Sequence, residues 1–455
     1  MEMRPEEVKY HIKNGKLTIC VVGLGWMGLP TACLFAEAGA NVIGVDVNEY
    51  IIEQINKGKS HIHEPDLKAL VEKHVKERKL IAIDDIEEAG SKSDVFVIIV
   101  PTGIDYRKRP DYSSVEKVSK DVGKSMNKGS LVIFESTTAP GITESIVKKT
   151  LERVSGFKAG IDFGLAYSPI RATAGTVLVN IQNYPRVIAG INKRSLKLGG
   201  AVLSTIVKER MVNVRNFKTA EATKLFENIY RDVNIALANE LAMFCESVGI
   251  DFMEAREAAN TQPYSHLHMP SVGVGGHCIP VNPYFLIDEA EAVRAKVRLV
   301  EYARKVNDGM PAHTVKVIQK ALREKRKTLM RTRITVLGIS FKPNVKEAKY
   351  SPVIEVIKKL QRKGSRVTVY DPYFTAKEIE ELGFQGADTL KEAIEKIDCI
   401  LIAVAHERFK KLRLSYLSRY SKHPLVIVDS SHFFDLKEKK DQKVIYREIG
   451  NGIFN

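Results

Sequence analysis

Short runs of apolar, strand-forming residues alternate along this chain with longer amphipathic segments. The first run starts after Leu17 and enters a glycine-rich turn, a helical pattern covers residues 29–38, and a second run spans Asn41–Val45. This order of strand, helix and strand predicts one βαβ unit. Because further runs follow at similar spacing, we predict doubly wound sheets. These further strands are predicted at residues 95–100, 131–134, 186–189, 333–339, 366–370, 399–404 and 425–428.

A region without strand patterns separates the two groups of predicted strands. From Thr219 to Val248 the chain has roughly 30 residues without proline or glycine, which predicts a helix of ~45 Å at ~1.5 Å per residue. Since a single core rarely grows past ~250–300 residues, a chain of 455 residues should form two or three domains. We predict an α/β fold in which two doubly wound domains, residues 1–208 and 326–455, are joined by a helical central domain, residues 209–325, with one long helix.

The composition is that of a folded protein. Hydrophobic residues make up 44% and charged residues 27% of the chain, which excludes a mainly disordered or collagen-like protein. No stretch approaches the ~18 uncharged apolar residues of a membrane helix, and the first 16 residues are charged throughout, without the apolar core of a signal peptide. We therefore expect a cytoplasmic protein that does not insert into membranes.

The cysteines and the net charge indicate which kinds of site and ligand to expect. The five cysteines include no CxxC pair, and all but Cys278 lie in apolar surroundings, so disulfides and a zinc site are not expected. A total of 70 Lys and Arg against 55 Asp and Glu gives a net charge of +15, which suits nucleic acid or anionic small molecules. The dense basic run at residues 325–333 has no interleaved aromatic residues. We interpret it as the solvated end of a helix and expect no nucleic-acid binding.

A glycine-rich turn follows the first predicted strand, with the sequence Gly23-Leu-Gly25-Trp26-Met27-Gly28. Glycines let the backbone turn tightly and approach a pyrophosphate, whose charge is stabilised by the N-terminus of the following helix. Asp46, at the end of the second predicted strand, can accept hydrogen bonds from both ribose hydroxyls and repel a 2′-phosphate. The pattern predicts a Rossmann-like domain that binds NAD. A tight strand–helix corner without a ligand is the alternative.

Cys278 lies between a flexible glycine run and a proline-rich stretch. Its sulfur can therefore be presented to a ligand, and His277 together with a cationic site would favour the nucleophilic thiolate. An inert cysteine beside a loop is the alternative. A metal site built from His266, His268, His277 and Cys278 is disfavoured, because adjacent residues rarely ligate one ion and no carboxylate completes the set. We expect no metal.

Four polar residues recur on the long predicted helix at spacings of three, four and three, and therefore share one face. They are Glu221, Lys224, Asn228 and Arg231. Two interpretations are open at this point. The stripe either faces solvent, or its lysine and asparagine serve hydride chemistry at a cysteine site.

Further motifs follow one another along almost the whole chain. They are Pro101-Thr102, Glu135-Ser-Thr137 with Pro140-Gly141, Ser168-Pro169, the helix from Glu221 to Glu240, Gly275-Gly-His-Cys278, and Phe341-Lys-Pro-Asn344 with Ser351-Pro352. Together with the glycine turn and Asp46, this order resembles the UDP-glucose/GDP-mannose dehydrogenase family, the nucleotide-sugar 6-dehydrogenases. Within that family, Gly-Gly-His-Cys-Ile-Pro is similar to the branch that acts on UDP-N-acetylhexosamines.

The resemblance implies a four-electron oxidation of a sugar C6 alcohol to a carboxylate with two NAD+. Cys278 would capture the aldehyde as a thiohemiacetal and then carry a thioester that water hydrolyses. Lys224 would donate or accept the proton and stabilise the oxyanion, with Asn228 hydrogen-bonding beside it. The expected substrate is UDP-N-acetyl-D-mannosamine. The alternatives are UDP-N-acetyl-D-glucosamine or UDP-glucose, or a catalytically weak protein that binds NAD and a UDP-sugar.

The resemblance also assigns domain roles and contact residues. Residues 1–208 would bind NAD, residues 209–325 would carry the catalytic cysteine and a helix that forms a homodimer or higher homo-oligomer, and residues 326–455 would bind the UDP-sugar. The expected NAD contacts are Gly23, Gly25, Trp26, Met27, Gly28, Asp46, Thr102, Thr137 and Lys349. The expected UDP-sugar contacts are Arg171, Ala172, Lys224, Asn228, Arg231, Gly275, Phe341 and Lys342.

Four positions depart from the family's pattern. The Glu usual after the first Ser-Pro is Ile170, and the Asp usual four residues past the cysteine is Asn282. Both positions are associated with activation of water during thioester hydrolysis, so we expect that step to be slow. Where the family usually has Asp-x-Arg, this chain has Glu347-Ala-Lys349, which keeps the two charges but lacks the guanidinium that can form two parallel hydrogen bonds. An arginine usual after the late Asp is absent near Ser431.

Overall fold

The computed structural model of the chain describes residues 3–434 and 443–453. The chain divides into two compact units. The first comprises Met1–Glu227 and Tyr284–Ala295, and the second comprises Asn228–Pro283 and Lys296–Asn455. In the part of the chain that the structure describes, no helix is both long enough and apolar enough to cross a bilayer.

The first unit contains an eight-stranded sheet and a small hairpin. Its strands are β1 Thr18–Val22, β2 Asn41–Val45, β3 Leu80–Ile83, β4 Val95–Ile98, β5 Gly103–Ile104, β6 Pro110–Asp111, β7 Leu131–Phe134, β8 Gly164–Tyr167, β9 Arg186–Gly190 and β10 Met211–Asn213. The order across the sheet is β10-β9-β8-β7-β4-β1-β2-β3, and every neighbouring pair is parallel except β8 with β9. Strands β5 and β6 pair only with each other.

Helices alternate with the strands of this first unit. They are α1 Pro5–Lys13, α2 Gly28–Glu37, α3 Glu49–Asn56, α4 Leu67–Lys76, α5 Ile86–Ser91, α6 Ser113–Ser125, a π-helical turn Thr143–Lys148, α7 Lys149–Ser155, α8 Val177–Asn183, α9 Lys193–Leu203 and α10 Phe217–Val248, which continues into the second unit after Glu227. Strands β4 and β7 are buried along their whole length, as expected when both faces of a parallel sheet are covered.

The second unit is built on a six-stranded, all-parallel sheet. Its helices are α11 Phe252–Ala259, α12 Asn282–Ala292, which continues into the first unit, α13 Arg298–Glu324, α14 Pro352–Arg362, α15 Ala376–Glu381, α16 Leu390–Ile394, a short 3-10 turn Glu407–Phe409, and α17 Leu414–Tyr420. Its strands are β11 Arg333–Leu337, β12 Arg366–Tyr370, β13 Gln385–Gly386, β14 Cys399–Ile402, β15 Leu425–Asp429 and β16 Val444–Glu448.

Both sheets have the strand order of a Rossmann-like fold. The second reads β13-β12-β11-β14-β15-β16, which is the order 3-2-1-4-5-6, and the first contains the same arrangement extended at one edge. Ligands of such folds bind at the carboxyl ends of the strands, where the order reverses, here between β1 and β4 and between β11 and β14. The predicted α/β fold with two Rossmann-like domains and a helical centre with one long helix is therefore confirmed.

The pattern missed several short strands, among them β3, β8, β10 and β16. Strand β10 has no buried residue and β3 and β16 have two each, so their apolar signal is weak, whereas β8 is four residues long and begins with a glycine. The solvated interpretation of the basic run is wrong for Lys325, whose side chain is 7% exposed, whereas that of Lys327 is 36% exposed. Lys325 and Lys327 both pair with the carboxylate of Asp398, and the side chain of Lys325 is nearly buried, which lowers its pKa. Arg326, Arg331 and Arg333 are exposed.

Candidate functional site

The glycine turn in the first unit joins β1 to α2. Gly23 has a φ of +94°, and a Cβ on it would lie 2.3 Å from the carbonyl oxygen of Ile99. A Cβ on Gly28 would lie 1.7 Å from the carbonyl oxygen of Gly23, whereas a Cβ on Gly25 would meet no protein atom within 4 Å. The outer glycines are therefore required by the turn itself. The middle one leaves open the space at the helix N-terminus where a pyrophosphate binds, so the turn fits a dinucleotide.

Asp46 is held against this turn. Its Oδ2 accepts a hydrogen bond from the backbone N–H of Leu24 at 2.8 Å, and its Oδ1 accepts one from the N–H of Asn48 at 3.0 Å. These bonds fix the carboxylate at the end of β2, where it can also accept from ribose hydroxyls. Trp26 and Met27 are half-buried and pack against the core of the first unit.

Thr102 and Thr137, which follow β4 and β7, are brought together. The Thr102 hydroxyl donates to the carbonyl oxygen of Thr137 at 2.6 Å. The loop after Thr137 is anchored by Glu221, whose carboxylate accepts from the N–H of Gly141 at 2.5 Å and from the N–H of Thr143 at 2.8 Å. Burial raises the pKa of Glu221, although these hydrogen bonds oppose the shift. Glu221 is therefore a buried anchor, and the solvent-facing interpretation is wrong for it.

The Ser168-Pro169 turn lies over a buried ion pair. Arg186 contacts the carboxylate of Glu135 at 2.5 Å and donates from Nε to the Ser168 hydroxyl at 2.9 Å. Ile170 is buried in the apolar core, so no carboxylate stands at that position. Arg171 pairs with Glu227 on α10 at 2.7 Å, and Ala172 packs against the same core as Ile170.

Cys278, in the second unit, is exposed, whereas the other four cysteines are buried. Burial raises the pKa of both the Cys20 and the Cys33 thiols to about 12, so they stay protonated at neutral pH. Cys278 is therefore the cysteine that a dissolved reactant can reach. This burial pattern was predicted from the apolar neighbours of the other four.

The glycine run before Cys278 packs against a segment about 65 residues further along the chain. A Cβ on Gly275 would lie 2.8 Å from Cβ of Phe341 and 2.8 Å from Cδ of Pro352. Gly276 has a φ of +92°, and its Cβ would lie 3.0 Å from the Phe341 ring. Phe341 is therefore seated directly on the loop that presents Cys278.

A second contact joins the same two segments. The ring of His277 lies 3.6 Å from the carboxylate of Glu347 and packs edge-on against Tyr350 at 5.2 Å between centroids. Burial opposes ionisation of Glu347, but the hydrogen bond and charge of His277 and the backbone N–H of Lys349 hold its pKa below the ordinary value. The ammonium group of Lys349 lies over the Tyr350 ring at 5.5 Å. Lys342 is half-buried.

The polar residues of α10 are divided between buried and exposed positions. Lys224 and Asn228 are buried, so a solvent-facing stripe is wrong for them as well, whereas Arg231 is exposed as that interpretation required. Asn228 donates from Nδ2 to Oδ1 of Asn282 at 2.5 Å. Burial, with help from the charge of Arg231, lowers the pKa of His268.

The sequence pattern missed a buried network next to this face. Asp232 accepts from Arg304 at 2.6 Å and from Asn307 at 2.8 Å. Asn239 donates to Asn307 at 2.9 Å and accepts from the N–H of Ser271, two residues before the glycine run, at 2.9 Å. Asp232 and Asn239 lie four and eleven residues after Asn228, a helical spacing that could have indicated their shared face.

Among residues 3–434 and 443–453, no group of three or more His, Cys, Asp or Glu side chains is placed to hold a metal ion.

Three family models match successive parts of the chain. Residues 17–210 match the NAD binding domain of the UDP-glucose/GDP-mannose dehydrogenase family. Residues 218–309 match its central domain, and residues 335–436 match its UDP binding domain.

Similar proteins are found along the full length. A UDP-N-acetyl-D-mannosamine dehydrogenase of Pyrococcus horikoshii is 34% identical, over 96% of this chain and 100% of that protein. An NDP-N-acetyl-D-galactosaminuronic acid dehydrogenase of Ralstonia nicotianae is 35% identical, over 87% of this chain and 92% of that protein. A solved structure of UDP-D-ManNAc dehydrogenase from Pyrococcus horikoshii superimposes with a TM-score of 0.89, at 34% identity, covering 96% of this chain and 100% of that one.

Proposed function

Because the chain belongs to the UDP-glucose/GDP-mannose dehydrogenase family, we propose that it oxidises the C6 alcohol of UDP-N-acetyl-D-mannosamine to the carboxylate, with two NAD+. The observation that carries this proposal is the exposed Cys278 on a glycine loop covered by Phe341. A protein that only bound these ligands would need no accessible thiol at that point. The similarity to UDP-N-acetyl-D-mannosamine dehydrogenases supports the choice of substrate.

The proposed chemistry uses the Cys278 sulfur as a nucleophile. Bound NAD+ would supply the acceptor for the two hydrides, one leaving the alcohol and one leaving the thiohemiacetal. The thiolate adds to the C6 aldehyde, the resulting thiohemiacetal is oxidised to a thioester, and water releases the carboxylate and the free thiol. Gly23, Gly25, Gly28 and Asp46 would bind the dinucleotide, with Thr102 and Thr137 beside it.

Lys224 and Asn228 are the proposed acid–base and oxyanion residues. Both are buried on one face of α10, one helical turn apart, where a cation or an amide donor acts more strongly than in water. Lys224 would take the alcohol proton and stabilise the developing oxyanion, and Asn228 would donate to the same oxygen. The hydrogen bond to Asn282 would orient the Asn228 amide for this role.

The residues proposed to bind the UDP-sugar offer different kinds of contact. Arg171, Arg231 and Lys342 would offer positive charge to the diphosphate or sugar, and Phe341 an aromatic face. NAD+ and the UDP-sugar both carry negatively charged phosphates, so the net charge of +15 favours their binding. Because both NAD+ and UDP-sugars are cytoplasmic metabolites, we place the reaction in the cytoplasm.

The direct test is NADH release from four nucleotide sugars at equal concentration: UDP-N-acetyl-D-mannosamine, UDP-N-acetyl-D-glucosamine, UDP-glucose and GDP-mannose. We expect the first to give the highest kcat/KM and two NADH per sugar. A higher value for another sugar would replace the proposed substrate. No NADH from any of them, with UDP and NAD+ still bound, would favour a catalytically weak binding protein.

We also propose that α10 forms a homodimer. Large apolar side chains, between 44% and 58% exposed, recur along it at spacings of four or seven, as in a helix that packs on a second helix. They are Phe226, Tyr230, Leu237, Phe244 and Val248. Sedimentation should give a dimer or larger for the natural chain and Phe244→Leu, but a smaller species for Phe244→Glu. A monomeric natural chain would contradict this arrangement.

A further inference from the structure

Asn344, the last residue of the Phe341-Lys-Pro-Asn motif, is held by three hydrogen bonds. Its N–H donates to Nδ1 of His406 at 3.0 Å. Its side-chain Oδ1 accepts from the N–H of Glu407 at 2.9 Å and from the hydroxyl of Tyr373 at 3.3 Å. Asn344 has a φ of +63°, a left-handed conformation that asparagine adopts more readily than most residues and that local hydrogen bonds support. These bonds supply that support.

His406 connects this motif to the ends of two strands. Its Nε2 lies 3.1 Å from Oδ2 of Asp371, which follows β12, and both side chains are completely buried. The same carboxylate oxygen accepts from the N–H of Ile339 at 2.9 Å and from the hydroxyl of Ser340 at 3.1 Å, directly after β11. Asp371 therefore ties β11, β12 and His406 together where the strand order of the second sheet reverses.

The hydrogen bonds determine the tautomer of His406. Nδ1 faces a backbone N–H and must therefore offer a lone pair, so the ring proton is on Nε2 and is donated to Asp371. Rings on two sides keep the imidazole in place, Tyr373 at 5.1 Å and Phe409 at 5.6 Å between centroids. Although burial opposes it, the bond from His406 holds the pKa of Asp371 below its ordinary value.

We propose that His406 is a positioning residue for UDP-sugar binding, acting through the N–H of Asn344. Asn344 lies three residues after Phe341, whose ring covers the glycine run before Cys278. A shift of Asn344 would therefore move the segment that carries the proposed UDP-sugar contacts Phe341 and Lys342 and that packs on the glycine run before Cys278. This inference rests on the proposed function only in treating Phe341 and Lys342 as UDP-sugar contacts.

Two isosteric variants of His406 separate its two hydrogen bonds. In His406→Asn the side-chain oxygen takes the place of Nδ1 and can still accept from Asn344, but the bond to Asp371 is lost. In His406→Gln the side-chain amide takes the place of Nε2 and can still donate to Asp371, but the acceptor for Asn344 is lost. A role in filling the core predicts similar defects in both variants, whereas positioning through Asn344 predicts different ones.

The measurement is calorimetric titration of UDP into the full-length chain. We expect His406→Gln to raise the Kd for UDP by about tenfold, because the N–H of Asn344 loses the acceptor that holds it in place, and His406→Asn to change it by less than about threefold. With an active chain, KM for the UDP-sugar should follow the same split, while kcat and KM for NAD+ stay near the natural values.

A matched control is His74→Asn, at a buried histidine that pairs with Glu37 in the first unit. It should leave the Kd for UDP unchanged. Equal Kd values for the two His406 variants, or no UDP binding by the natural chain, would overturn the proposal. If the Kd values for UDP of the two His406 variants differ as expected but the chain oxidises no UDP-sugar, the result supports the positioning role of His406 and contradicts the proposed function.

Discussion

The two glycine-rich turns of this chain exclude side chains for different reasons. In the turn at residues 23–28, the atoms that a Cβ would meet are backbone atoms of the turn and of the neighbouring strand end. In the turn at residues 273–276, they include the side chains of Phe341 and Pro352, which are distant in sequence. The first turn is therefore specified by its own backbone geometry. The geometry of the second turn is determined largely by packing against Phe341 and Pro352 of the same chain.

This difference distinguishes a glycine that leaves room for a ligand from glycines that are required by packing between two loops. Gly25 is the position of the first turn where a Cβ meets no protein atom within 4 Å, so the space around it does not require a glycine, whereas the proposed dinucleotide contact would. Gly275 and Gly276 are both covered by Phe341, so their glycines are explained by the fold. In the proposed function, the chemistry beside the second turn belongs to the exposed Cys278, two residues after Gly276.

The largest expected effect comes from removing the sulfur at the end of the second turn. Cys278→Ser should lower formation of the uronic acid by about a thousandfold or more, since a hydroxyl cannot form the readily hydrolysed thioester. Binding of UDP and NAD+ should stay nearly unchanged, because the side chain is exposed and of similar size. The assay is product quantification by anion-exchange chromatography. Cys245→Ala, at a buried cysteine, is the control, and full acid production by Cys278→Ser would make the thiol structural.

The next largest effect concerns Asp46, which is bonded to the first turn. Asp46→Asn can keep an acceptor for the N–H of Leu24 while losing the charge. We expect the ratio of kcat/KM for NAD+ over NADP+ to fall by about 100-fold, because ribose loses a charged acceptor and a 2′-phosphate is no longer repelled. Steady-state kinetics with both cofactors measures this ratio. Equal use of both cofactors by the natural chain would show that this strand end does not select the cofactor.

The first turn could be predicted from sequence because its geometry is local. A strand, three spaced glycines, a helix and an acid about 20 residues on are consecutive features, and the structure has them in the predicted order. The long helix from Phe217 to Val248 could likewise be predicted, because its sequence contains no proline or glycine.

The surroundings of the second turn could not be predicted in the same way. Spacing does not indicate that Phe341 would lie on Gly275, or that His277 would pair with Glu347, because these contacts join segments about 65–70 residues apart. The sequence pattern also did not indicate which polar side chains are buried. Glu221 and Arg231 share a predicted polar face, yet one is fully buried against a loop and the other is exposed.

A pair of alanine substitutions tests the contrast between the turns directly. Gly25→Ala should raise KM for NAD+ by about tenfold without lowering the melting temperature, because its Cβ meets only the ligand. Gly275→Ala should lower the free energy of unfolding by about 1–3 kcal/mol, because its Cβ would overlap Phe341 and Pro352. Chemical denaturation and NAD+ kinetics on both variants give the comparison. A stability loss in Gly25→Ala as large as that in Gly275→Ala would remove the distinction.

The smallest expected effect concerns Asn282, four residues beyond Cys278. Without a carboxylate there or at Ile170, hydrolysis should be slow relative to hydride transfer, so the natural chain should give a burst of NADH and a thioester on Cys278 detectable by intact-mass spectrometry. In Asn282→Asp the new carboxyl can still accept from Asn228, and it supplies an acidic group that would act as the general base toward water. We expect the steady rate to rise by about threefold with an unchanged burst.

Asn282→Ala, which removes the acceptor without adding a carboxyl, should not raise the steady rate. If the natural chain instead gave a linear trace, no adduct and ordinary turnover, another group would already activate the water. Glu135 is a poor candidate, because it is fully buried in an ion pair with Arg186 beneath the Ser168 turn. That result would make Lys224 the next group to test for water activation. The second turn would then need only its thiol and its packing on Phe341, with no carboxylate of its own.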